Sequence, residues 1–181
     1  MPSIYLSPST QDHNEYIIGG SEEYYMNLIV DAMVPYLRAS GITFARNNPQ
    51  DTLEKVIEQS NSGNYDLHLA IHSNSAPENL VGVLRGPDAY YYAYSIKAQK
   101  AVTIFVNNLK NIYPERSFVS SIPNTTLTEL KRTKAPAVLI EIAYHDNYSD
   151  AMWIAGNIDT IAHNLVLSIT KFLGMTFVNP Y

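Results

Sequence analysis

Two apolar runs of strand length, residues 67–71 and 137–142, constrain this chain more than any other feature. Each delivers one chemically capable side chain near its C-terminal end. The segment Leu67-His-Leu-Ala-Ile-His-Ser-Asn74 carries His72, and Ala137-Val-Leu-Ile-Glu-Ile-Ala-Tyr-His-Asp-Asn147 is broken by Glu141. An ionised carboxylate in such a run is costly unless it is paired, bound to metal or held neutral. In open α/β sheets the carboxyl edge of the strands is where ligands bind, so the two runs point to a shared site there.

The elements along the chain alternate in the manner of an α/β fold. Residues 3–6 read as a first strand, followed by a polar loop to Gly20. Met26, Ile29, Val30, Met33, Val34 and Leu37 form a helical stripe, with Ser21 as N-cap, Glu22 and Glu23 in the first turn, and Gly41 at its end. Pro35 is expected to kink that helix or close it early. Residues 42–46 read as a second strand, 51–59 as a helix, 65–72 as the third strand and 82–85 as a short fourth. A second stripe runs from Ala98 to Ile112 and stops at Pro114; a third runs from Ile158 to Leu173 and stops at Gly174. No repeat, low-complexity tract or linker interrupts the 181 residues, which predicts one domain spanning 1–181.

Charge and composition narrow the function. The formal net charge of −5 and the absence of a basic stripe argue against nucleic acid or an anionic membrane as partner. No apolar run is long enough to insert in a bilayer. The chain has no cysteine, so any metal must sit on His, Asp or Glu. The opening residues lack the basic start and long apolar stretch of a secretory signal. Action inside the cell, export by another route and a leader removed beforehand all remain open.

Among the five histidines, His163 falls on the polar side of the last helix and is expected at the surface. His68 and His72 project to one face of their strand, and His72 sits where that strand leaves the sheet. His13 lies in the loop after the first strand, and Glu23 in the first turn of the helix beyond it. There a carboxylate is favoured by the helix dipole in any case. Taken together, His13, Glu23 and His72 could make a two-His, one-carboxylate site with a position open for water, the ligand set of a catalytic zinc centre. Glu141 would then serve as general base rather than ligand. Leu80 to Tyr94, with Arg85 and the Tyr90–Tyr92 cluster, could line a groove. Lys131 and Arg132 could face a carboxylate, although solvated basic residues are the commoner case.

The order of these segments resembles a known family. Ile-Tyr-Leu before a His-bearing loop, Glu-x-x-x-Asn-Leu-Ile, Tyr-Asp-Leu-x-Leu-x-Ile-His-Ser-Asn and Pro-Ala-Val-Leu-Ile-Glu-x-x-Tyr-x-Asp-Asn look like the zinc-dependent N-acetylmuramoyl-L-alanine amidases, from about Ile4 to Leu173. The resemblance implies a phosphorylase/hydrolase-like three-layer α/β fold with a mixed, mostly parallel sheet flanked by helices. It implies zinc (Zn2+) on His13, Glu23 and His72, with Glu141 as the catalytic glutamate. Glu23 is preferred to Glu22 because it stands four residues before Asn27.

The family usually reads Gly-His-Gly directly after the first strand, whereas this chain reads Ser-Pro-Ser-Thr-Gln-Asp-His, a Ser-Pro-Ser variant similar to clostridial-type amidases. A second departure is His145, where the family commonly has a small or apolar residue; it could line the pocket or contact substrate but is not expected as a ligand. The implied substrate is peptidoglycan, cut at the amide between the lactyl group of N-acetylmuramic acid and L-alanine. The roles open to such an enzyme are phage lysis, sporulation and autolysis. The competing readings are a non-catalytic peptidoglycan-binding module of the same fold, and another zinc peptidase acting on stem peptides.

Overall fold

A computed structural model describes all 181 residues. The strands are β1 (Ser3–Pro8), β2 (Thr43–Arg46), β3 (Leu67–Asn74), β4 (Asp88–Tyr92), β5 (Ser120–Asn124) and β6 (Ala137–Tyr144). The helices are α1 (Glu22–Ala39), α2 (Leu53–Ser62), α3 (Ile96–Leu109), α4 (Thr128–Arg132), α5 (Tyr148–Gly156) and α6 (Ile158–Leu173). One six-stranded sheet has the order β2-β1-β3-β6-β4-β5, parallel throughout except where β4 runs antiparallel to β6. The expected mixed, mostly parallel sheet flanked by helices is therefore the fold of this chain.

Period-two alternation sorts the sheet into two unlike faces. Leu67, Leu69 and Ile71 of β3 and Val138, Ile140 and Ile142 of β6 join the large core with α1, α3 and α6. Their alternates, Ala70, Ala137 and Leu139, pack with Leu130 in a much smaller cluster on the side of α2 and α4. The polar alternates of β3 and β6, namely His68, His72 and Glu141, lie on this second face. One layer thus supplies most of the apolar burial that stabilises the domain, and the thinner layer carries the polar chemistry.

Local signals explain most element ends. Ser21 caps α1 by accepting from the Tyr24 amide, and Gly174 closes α6 in the left-handed conformation at φ +68°. Pro35 does not stop α1, which runs on to Ala39 through its buried stripe. The second helix is capped by Thr52 and starts at Leu53, because Asp51 turns its carboxylate to the Asn48 amide and to Gln59.

The expected strand at 82–85 is instead a turn. Val81 and Val83 are exposed, Gly82 sits at φ +75°, and Asn147 Nδ2 donates to the carbonyls of Gly82 and Leu84 that a strand partner would otherwise satisfy. The fourth strand lies just downstream, at Asp88–Tyr92, with Tyr91 turned into the large core and Tyr90 and Tyr92 half-buried on the other face. Strand β5 and the short helices α4 and α5 carry no periodic stripe that would announce them in the sequence.

The turn is tied down by Asp150, whose buried carboxylate accepts from the amides of Gly86 and Tyr144 and from the Tyr113 hydroxyl at 2.6 Å. Removing it leaves three donors without their acceptor. Asp150→Ala is expected to cost about 2–4 kcal/mol in a urea-unfolding experiment.

Candidate active site

Strands β1, β3 and β6 all end at one edge of the sheet, and their last turns shape a cavity of about 450 Å³. Ser7–Gln11, His72, Glu141, Glu129 and the apolar side chains of Leu53, Val56, Leu127 and Leu139 line it. His72 and Glu141 are direct partners in the parallel ladder, so they stand side by side on the same face. Beyond them a bulge in β6 shifts the register, so that Asn74 meets Tyr144. On the other side of β6, Asp88 of β4 faces Glu141.

His72 is held from two directions. Its Nδ1 lies 2.9 Å from Glu22 Oε1, at the first residue of α1, and its Nε2 lies 3.9 Å from Glu129 Oε2, on α4. Burial favours the neutral imidazole, but the Glu129 carboxylate, the bond to Glu22 and the charge of Glu141 outweigh it and push His72 up to about 10. Burial likewise works against the Glu22 carboxylate. The His72 bond overcomes it, helped by Asn14 Nδ2 at 2.7 Å, and holds the group below its usual range.

Glu129 reaches further than His72. Its Oε1 accepts from Ser7 Oγ and lies 2.8 Å from His68 Nε2, while His68 Nδ1 meets Ser60 Oγ at 2.8 Å. These contacts keep the buried Glu129 ionised against strong desolvation. A continuous polar string thus runs Ser60, His68, Glu129, His72, Glu22, Asn14 along the thin layer and over the sheet edge.

Glu141 is the exception among these carboxylates. Its Oε2 is shut from solvent and has no hydrogen-bond partner. Burial raises it to about 7; the His72 charge opposes this only in part, and Glu22 and Asp88 add to it. A carboxyl group poised near neutrality, unpartnered and facing a cavity, is suited to take and return a proton.

The structure does not bring His13, Glu23 and His72 together. His13 is 73% exposed at the tip of the loop, 3.6 Å from Asp12. Glu23 turns along its own helix, where Asn27 Nδ2 donates to its carbonyl and to its Oε1. The residue against His72 is its neighbour, Glu22. Of the two first-turn carboxylates, Glu22 is turned to His72 and is 1% exposed, whereas Glu23 bonds along its own helix. His145 is buried beside Ser73 and stacks on Tyr16, outside the cavity lining. Arg85 lies over the Phe118 ring and Arg132 pairs with Glu54, so neither reaches the cavity. His163 packs against Tyr36 and Phe177 at the rim of the main core. Glu129 is not legible in the sequence, because its helix is five residues long and too short to show a stripe.

A catalytic zinc ion takes three protein ligands and leaves one position open. Glu22 and His72 could supply two, but no three His, Cys, Asp or Glu side chains converge in a way that could hold a metal ion. Just after β1 the cavity wall is made by Ser9, Thr10 and Gln11, none of them an imidazole or a carboxylate. The residues present do not fit a three-ligand zinc centre.

The fold and the cleft define a three-layer α/β domain with a histidine–carboxylate site at the carboxyl edge of its parallel strands. Residues 9–171 match the family model described as N-acetylmuramoyl-L-alanine amidase, and the chain belongs to that family. Among solved structures, an N-acetylmuramoyl-L-alanine amidase from Clostridium difficile 630 is similar with a TM-score of 0.85 at 15% identity, covering 96% of this chain and 97% of that one. The amidase AmiC2 of Nostoc punctiforme has a TM-score of 0.83 at 16% identity, with 96% and 97% covered. The catalytic domain of the CD27L endolysin targeting Clostridia Difficile has 0.77 at 21%, with 99% and 100% covered. These identities carry the fold alone. No curated protein sequence matches the chain significantly.

Proposed function

We propose that this chain is a peptidoglycan hydrolase that cuts the amide between the lactyl group of N-acetylmuramic acid and L-alanine of the stem peptide. One observation carries the reading: Glu141 sits beside the cationic His72 in the edge cavity with an unpartnered oxygen and a proton affinity near neutrality. Family membership supplies the bond to be cut.

In this mechanism Glu141 accepts a proton from the attacking water and passes it to the departing amine. An amide nitrogen leaves poorly unless protonated, so both halves of the transfer matter. His72, kept charged between Glu22 and Glu129, presents positive charge where the carbonyl oxygen gains negative charge. Leu53, Val56, Leu127 and Leu139 offer apolar wall for the lactyl and alanyl methyl groups. Zinc, which the family resemblance implies, does not fit the donor set at Glu22 and His72, which lacks a third His, Cys, Asp or Glu ligand.

Digestion of purified peptidoglycan, read by mass spectrometry, tests the reading. The expected products are free stem peptides beginning with L-alanine and intact glycan strands without peptide. Peptide remnants left on the muramic acid would instead assign a stem peptidase. Co-sedimentation with the wall and no new amino termini would assign a non-catalytic binding module.

A further inference from the structure

We infer that the Glu22–His72 pair does not retain a resident zinc ion, because the third corner of the metal site is closed by neutral side chains. The inference concerns metal retention and does not rest on the proposed hydrolysis.

Three features of the loop after β1 carry it. First, the cavity wall at the end of β1 is built from Ser9, Thr10 and Gln11, with no imidazole or carboxylate among them. Second, the loop ties itself shut. Asn14 Nδ2 donates both to Gln11 Oε1 at 2.9 Å and to Glu22 Oε2 at 2.7 Å. Backbone bonds from Glu22 to Asn14 and from Glu23 to Gln11 fix the same segment on the start of α1. The carboxylate oxygen not used by His72 is thereby occupied. Third, His13 cannot be swung in cheaply. It lies between Asp12 and Asn14, the residue making those bonds, and bringing it inward would break the Asn14 clamp.

Both nitrogens of His72 face carboxylates, Glu22 at Nδ1 (2.9 Å) and Glu129 at Nε2 (3.9 Å), on opposite sides of the ring. A metal at the Glu22–His72 pair would still have to find a third ligand. Glu141 and Asp88 are the other acidic groups facing the pair across the sheet.

The test is metal content of the full chain after exhaustive dialysis in buffer containing trace zinc, measured by plasma mass spectrometry. No substrate is present, so its outcome is independent of the activity assay. Less than about 0.1 zinc per chain is expected for the native protein, and close to one for Thr10→His, which places an imidazole on the cavity wall just after the strand. Adding Glu22→Gln to Thr10→His should return the content to the native level. Nearly one zinc per native chain, lost on His72→Ala, would overturn the inference. So would a Thr10→His protein with native circular dichroism and no zinc gained. As a measurement needing no variant, equimolar zinc should leave the native unfolding midpoint unmoved; a rise of several degrees would count against the inference.

Discussion

Glu141→Gln is expected to lower kcat on peptidoglycan by about 10²- to 10⁴-fold while leaving KM nearly unchanged. The amide keeps the shape of the side chain and removes its ability to carry a proton. The same change should make the protein more stable. Folded Glu141 titrates at about 7, well above its ordinary value, because burial penalises its charge. Between about pH 4.3 and 7 the folded state therefore holds a proton that the unfolded chain has released. Stability contributed by the neutral group is complete below that window, falls as pH rises through it, and levels off above. Glutamine cannot ionise, so the variant escapes the loss. Its gain over the native protein should be absent at pH 4 and reach roughly 1–3 kcal/mol at pH 8, measured by urea unfolding at both values. A constant difference across pH would mean that Glu141 is not the desolvated carboxyl described here.

Glu129→Ala has the opposite character. It should destabilise the domain by about 3–5 kcal/mol in chemical denaturation. Glu129 is 5% exposed, and its loss leaves His68, which is fully buried, and Ser7, which is 3% exposed, without the acceptor they share. The neutral Glu129→Gln keeps an acceptor oxygen and should recover part of the loss. A cost under about 1 kcal/mol for the alanine variant would show that water replaces the carboxylate, and the buried string would not then be structural.

Much of this architecture is legible in the residues. The third and sixth strands declare themselves as apolar runs, and the stripes of α1, α3 and α6 are long enough to be read by period. His72 and Glu141 were found because each stands at the end of such a run, and a shared register makes them neighbours. The carboxylate that meets His72 was not legible. The spacing from Glu23 to Asn27 is informative, but what it encodes is a hydrogen bond one helical turn long within α1. Whether the first or second residue of a helix points into a cleft depends on the rotation of that helix on the sheet, which only packing decides. Glu129 was missed for a related reason, since Thr-Glu-Leu-Lys-Arg has the composition of a surface loop and its burial comes from contact with β6 and α2. The distance of His13 from the site has the same origin. A loop full of turn formers can place a residue on either side, and the Asn14 clamp chooses the outward one.

His72 also has a mechanical consequence. Glu22 belongs to a helix packed on the thick face of the sheet, and Glu129 to one packed on the thin face. Because both reach the same imidazole, the two helical layers are riveted together at the mouth of the cleft. The imidazole is thus the one side chain that touches a carboxylate from each layer at that edge. Widening the cleft at that point would cost the His72 contact with Glu22 or with Glu129.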